Sequence, residues 1–108
     1  MLSITSHTRF FLYQTPVSMH KSFEGLSAIV QNTFPQSLFT GAFFIFLNKK
    51  KDCMKVLYWD QDGLVLWYKR LEKGHFSRKG TSENLTRKEF LMLLEGITPK
   101  KIQPRFSL

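Results

Sequence analysis

Apolar residues change their spacing along the chain, and each change marks an element. Arg9 to Tyr13 reads Arg-Phe-Phe-Leu-Tyr, an aromatic run that favours a short strand, and Thr15-Pro16 stops it. From Met19 to about Asn32 the period lengthens. Phe23, Leu26, Ser27, Val30 and Phe34 recur at three- and four-residue steps with Ile29 beside them, which predicts a helix with one apolar face. Ser18 is the expected N-cap, because its hydroxyl can accept an orphan N–H of the first turn. Gly25 weakens this helix by about 1 kcal/mol relative to Ala, and Pro35 ends it.

Three strands are expected next. Phe39 to Leu47 is apolar at nearly every position, as in a strand covered on both faces. Cys53 to Trp59 and Leu64 to Lys69 flank Asp60-Gln61-Asp62-Gly63, a tight reversal in which Gly63 is free to take a positive φ. Those two strands should pair as a hairpin. Asn48-Lys49-Lys50-Lys51-Asp52 forms a second hairpin loop with three lysines at its tip. Phe76 is placed at the start of an optional further strand before the polar stretch Lys79 to Asn84.

The final helix is the most fully specified. Thr86 and Glu89 have capping-box spacing, with Leu85 and Phe90 placed as a hydrophobic staple across it. Phe90, Leu91, Leu93 and Leu94 supply the apolar face, Gly96 suits a left-handed C′ position with Ile97 folding back, and Pro99 forbids continuation. The expectation is an α+β fold, a small antiparallel β-meander with two packed helices in the order β-α-β-β-β-(β)-α. Phe23, Leu26, Val30, Phe44, Phe46, Leu91 and Leu94 are expected to be buried together.

At 108 residues the chain is the length of one ordinary domain. It is read as a single domain over residues 1–108, with a core at about 8–97 and a basic tail at 98–108. Hydrophobic residues make up 43% and aromatics 15%, too many for a disordered basic tail. The single cysteine, Cys53, has no internal partner, which fits a reducing cytoplasm. The longest apolar stretch, Ala42 to Leu47, is far short of the roughly 18–20 residues that span a bilayer. The opening MLSITSHTRFF lacks the basic and apolar regions of a secretory signal. A cytoplasmic, membrane-free protein is expected.

Charge alters the picture more than composition does. Sixteen Lys and Arg oppose eight Asp and Glu, a formal net charge of +8. Residues 49–79 hold nine of those cations against four acids, and the tail from Ile97 adds Lys100, Lys101 and Arg105 with no acid. Such a field favours a polyanion, meaning nucleic acid or an acidic protein surface. The candidate nucleic-acid-binding residues are Lys49, Lys50, Lys51, Lys55, Lys69, Arg70, Lys73, His75, Arg78 and Lys79. Aromatics interleaved with them, from Tyr58 to Phe76, could stack bases, although alternation along a strand turns at least half of them to the core.

Catalytic chemistry has less support. Asp60 and Asp62 could clamp Mg²⁺ in a small nuclease, but Asp before Gly in a reversal is favoured for its own backbone hydrogen bonds, and no third carboxylate follows at motif spacing. His7, His20, His75 and Cys53 lack zinc-site spacing. Nucleophile-elbow, phosphate-loop and dinucleotide motifs are missing too. No metal, cofactor or catalytic residue is expected.

The segment from Trp59 to Phe76, W-D-Q-D-G-L-V-L-W-Y-K-R-L-E-K-G-H-F, resembles the hallmark of the TnpB-type accessory proteins of the IS-66 insertion-sequence family. Other blocks agree in order. Pro16 to Leu26 is similar to the family's P-x-D-M-R-K-x-F-D-G-L, Gly41 to Asp52 to its G-x-x-F-V-F-x-N-R-R-R-x, and Leu93 to Ile97 to its L-L-x-G-I. Ser18 stands where Asp is usual, His20 and His75 where Arg is usual, and Ser77-Arg78 replaces Trp-Pro or Leu-Pro. The resemblance implies a non-catalytic accessory of DNA transposition acting beside a separate transposase, unrelated to the much longer RNA-guided nucleases that share the name. Two partners follow as expectations. Either the basic residues bind DNA at the element ends, or the module docks on the transposase without touching DNA.

Overall fold

The structure, a computed structural model, describes residues 4–77 and 83–95. Five strands, β1 (Phe10–Leu12), β2 (Phe43–Leu47), β3 (Cys53–Asp60), β4 (Gly63–Arg70) and β5 (Asn84–Leu85), form one sheet in the order β4-β3-β2-β1-β5. Helix α1 (Phe23–Thr33) and a 3-10 turn (Leu38–Thr40) lie between β1 and β2, and α2 (Arg87–Leu94) follows β5. The fold is α+β, and the meander β2-β3-β4 is antiparallel throughout, as expected.

The meander does not extend to β1. That strand runs parallel to β2, Phe10 opposite Phe43 and Leu12 opposite Ile45, and antiparallel to β5. A parallel neighbour needs a crossover, and α1 supplies it. β1 therefore sits inside the sheet, where all three residues are buried. Phe10 stacks on Phe90 of α2 at 4.7 Å, while Phe11 points the other way, 5.6 Å from Phe44 and 5.9 Å from Phe34. An aromatic run with no polar alternation is what a strand covered on both faces requires.

The sheet thus separates two cores rather than closing over one. On the α1 side lie Phe11, Leu26, Val30, Phe34, Leu38, Phe44, Phe46 and Leu57. On the α2 side lie Phe10, Leu12, Phe43, Ile45, Met54, Val56, Tyr58, Phe76, Phe90 and Leu93. The expected core list changes accordingly. Leu26, Val30, Phe44 and Phe46 are buried together, but Phe23, in the first turn of α1, is 43% exposed. Leu91 is 40% exposed, and Leu94 is half-buried against the opposite core. Phe90 and Leu93, one helical step apart, carry the buried face of α2.

Local signals at the helix starts split. The capping box of α2 is complete: Glu89 N–H donates to Thr86 Oγ1 at 3.0 Å and Thr86 N–H to Glu89 Oε1 at 2.8 Å. Ser18 does not cap α1. Its hydroxyl accepts His20 N–H at 3.1 Å and its carbonyl accepts Lys21 N–H at 3.2 Å, closing a separate turn before the helix begins after Ser22. At the β3–β4 reversal the positive φ belongs to Gln61, at 50°, and Gly63 opens β4. Asp62 N–H donates to Asp60 O there, and with Asp60 paired to Gly63 the loop between the strands is Gln61 and Asp62 alone. No strand opens at Phe76; its N–H donates to Lys51 O at 2.6 Å and its ring is fully buried, while the extra strand forms at Asn84–Leu85. Gly96, Ile97 and Pro99 lie outside the described residues.

These faces give unequal costs to neighbouring substitutions. Phe90→Ala should lower unfolding stability by about 3–5 kcal/mol, since its ring fills the α2-side core. Leu91→Ala, one residue on, should stay within about 1 kcal/mol in the same denaturant titration.

Candidate nucleic-acid interface

Strand register decides where the cations go. Cys53 pairs with Arg70, and Asp60 with Gly63. The lysine hairpin that precedes β3 and the exit of β4 therefore share one end of the sheet. The Asp60-Gln61-Asp62 bend occupies the other end, about 23 Å away at the usual rise per strand residue. Lys49, Lys50 and Arg70 thus gather at one end of β3, with Asp52 among them, while the other end carries Asp60 and Asp62.

The hairpin is held by its own polar side chains. Asn48 Oδ1 accepts Cys53 N–H at 3.0 Å, and Asn48 Nδ2 donates to Asp52 Oδ1 at 2.7 Å. That hydrogen bond holds the Asp52 carboxyl below its ordinary pKa, against an opposing desolvation, with the Lys50 charge a smaller contribution in the same direction. Lys51 takes the left-handed conformation, φ 60°, and its N–H donates to Asn48 O at 3.1 Å. The segment after β4 is tied along the same hairpin, with Leu71 N–H on Asp52 O at 2.8 Å and Phe76 N–H on Lys51 O. Lys73 and His75, both exposed, are carried to this end by those two bonds.

On the α1 side of that end lies an open groove of about 580 Å³. His20, Lys49, Lys50 and Arg70 line it with Pro16 to Met19, Asn48, Asp52 and Cys53. Three of the expected cations, Lys49, Lys50 and Arg70, are thereby brought together. Arg78 and Lys79 lie outside the described residues.

Two expected binding residues have other work. Lys55 is only 7% exposed, and its ammonium donates at 2.8 Å to the carbonyls of both Met19 and Lys21. The same ammonium sits 4.9 Å from the centroid of the Tyr68 ring, its neighbour across the β3–β4 pair. It is turned inward and pins the segment that carries His20 to the sheet. Lys69 faces the α2 side beside Met54, where its ammonium donates to Leu94 O at 3.3 Å. A cation on the last carbonyls of a helix is favourably placed against the helix dipole. Arg70, one residue on, faces the groove, because adjacent strand residues point to opposite faces.

His20 is the groove residue that the residue-by-residue reading passed over. The signal available for it was the resemblance alone, in which His20 stands where Arg is usual. Asp60 and Asp62 are exposed, and among the described residues no group of three His, Cys, Asp or Glu side chains lies close enough to hold a metal ion. No helix among them is long and apolar enough to cross a membrane.

Lys55→Met should cost about 1.5–3 kcal/mol of stability, the usual loss for hydrogen bonds to a charged group; equilibrium unfolding of both proteins measures it. For Asp52, the folded carboxyl titrates below its unfolded counterpart, so its stabilisation is present above the ordinary carboxylate range and is lost as pH falls through the folded value. Asp52→Asn should flatten that acid limb in a series of unfolding curves from neutral pH downward.

Comparison with known proteins gives the chain a family. The family model described as IS66 Orf2 like protein matches residues 8–104. A protein of Sinorhizobium fredii (strain NBRC 101917 / NGR234), described as the uncharacterized protein y4jC, is 28% identical over 100 residues, covering 90% of this chain and 86% of its own. No solved structure matches. With the family model spanning nearly the whole sequence, groove, meander and both helices included, the chain belongs to the IS66 Orf2-like family and is an accessory protein of transposition.

Proposed function

We propose that the basic end of the sheet binds DNA of the insertion element and that the chain assists a separate transposase without cutting DNA itself. The observation that supports this most strongly is the strand register, which gathers Lys49, Lys50 and Arg70 around one groove. The acidic bend stands at the far end of β3, so it subtracts little from the field at the groove. Lys73 and His75 extend the positive surface beyond it.

Lysines at a hairpin tip are long, mobile point charges, suited to tracking a phosphate backbone rather than reading base edges. Arg70 adds a planar fork that can take two phosphate oxygens at once. Asn48 and Asp52 hold the hairpin in shape, so part of the ordering cost of binding is met before DNA arrives. Binding of this kind should fall steeply with salt and discriminate only modestly between sequences. Asp60 and Asp62, exposed in a bend and remote from the groove, serve the turn rather than a reaction.

The test is a binding titration of element-end DNA and random DNA of equal length across a range of salt. Replacing Lys49, Lys50 and Arg70 by Gln should reduce the slope of log K against log salt by about 2–3, if each loses one phosphate contact. Thermal stability should barely move, because these side chains are exposed or line an open groove. An unchanged slope, accompanied by loss of the transposase in a pull-down, would assign the same surface to protein docking instead.

A further inference from the structure

β4 forms one edge of the sheet, and among the described residues no strand pairs with its outer side. It is eight residues long, and its pairing with β3 is unbroken from Arg70 to Gly63, so no bulge turns it away. Gly63 to Tyr68 contains neither proline nor charge. Proteins usually protect such an edge with one of those devices, because free strand N–H and C=O groups recruit another strand. Leu64 and Leu66 lean on the α1-side core and Val65 and Trp67 on the α2-side core, yet all four remain partly exposed. Tyr68 is 50% exposed. The opposite edge, β5, offers only two residues.

We infer that β4 pairs with β4 of a second copy, antiparallel, about a two-fold axis perpendicular to the sheet at Leu66. The strand's own charges name the occupant. Asp62 precedes it and Lys69 and Arg70 end it, so antiparallel self-pairing brings an acidic start beside a basic end, twice. Hydrogen-bond phase narrows the register. Leu71 N–H donates to Asp52 O, so Leu71 and every second residue before it face β3. The backbone groups of Leu64, Leu66, Tyr68 and Arg70 therefore point outward. Centring the axis on Leu66 sets Leu64 opposite the partner subunit's Tyr68 and Asp62 opposite the partner subunit's Arg70. Centring it on Trp67 would set Asp62 against the partner subunit's Glu72, two like charges at each end. Of these two, charge selects the first.

Such a dimer is closed, because both long edges are consumed and the β5 edges are too short to continue the sheet. It also places the two Arg70 residues on one face, about 27 Å apart along the shared strand pair. The pairing does not rest on the DNA reading, and either can fail alone.

Sedimentation velocity on the full chain over a concentration series tests it. The wild type should pass from monomer to dimer, and Leu66→Lys, which opposes two ammonium groups at the axis, should raise the dimer Kd at least about tenfold. Arg70→Asp should do the same, and adding Asp62→Arg to it should restore the wild-type value. Asp62 and Arg70 are exposed, so thermal melts of the charge variants at concentrations where the wild type is monomeric should match it and keep the test clear of folding defects. A wild type that stays monomeric at every concentration overturns the inference. So does a dimer indifferent to Leu66→Lys, or one that the exchanged charges fail to restore.

Discussion

The pairing of β3 with β4 is the constraint from which the rest of this molecule's character follows. Its register puts Lys55 beside Tyr68 on the α1 face and Lys69 beside Met54 on the α2 face. A slip of one residue would exchange every β4 side chain between faces. Lys69 would then crowd the groove, Arg70 would lie under α2, and Trp67 would leave the α2-side core. Burial on both faces opposes that slip: Val65 and Trp67 pack against one core while Leu64 and Leu66 pack against the other. The position of the basic groove is therefore a consequence of hydrophobic packing, since exposed charges contribute little to register.

Lys55 shows how a charge can shape the groove without lining it. Its ammonium gathers two backbone carbonyls and an aromatic face, the partners a buried cation needs to offset lost hydration. The carbonyls belong to the turn that Ser18 closes, and that turn carries His20 to the groove wall. An inward lysine thus positions an outward histidine. Tyr68, whose ring lies over Lys55, also has its hydroxyl 3.5 Å from Cys53 Sγ, and this contact, ahead of burial, raises the tyrosine's pKa. The thiol, the phenol and the ammonium stand side by side on the α1 face of the β3–β4 pair.

Charge segregation along β3 and the bare edge of β4 use the same strands in different directions. Along the strands, a mostly basic end and the acidic bend are separated by the length of β3, which supports the proposal of a polyanion at one end. Across the strands, the sequence before and after β4 is complementary to itself when reversed. The two proposed surfaces meet at Arg70, which lines the groove and also ends the β4 edge.

Much of this was legible in the sequence wherever the deciding contacts are local. The capping box at Thr86 and Glu89 spans three residues, the β2-β3-β4 meander turns on two short loops, and the α1 stripe from Leu26 to Phe34 repeats at helical steps. The family motifs lie on those same segments. What the sequence could not supply depends on segments far apart in the chain. Nothing in Arg-Phe-Phe-Leu-Tyr says that β1 lies parallel to β2 and between it and β5, because that follows from where α1 returns the chain. Nothing in two adjacent cations says that Lys69 reaches a helix end while Arg70 lines a groove. Alternation along a strand tells which residues share a face; only the packed helices tell what each face meets. Lys55 was misplaced for that reason, since a lysine in an apolar strand reads as solvent-facing until two carbonyls 34 and 36 residues away are brought over it.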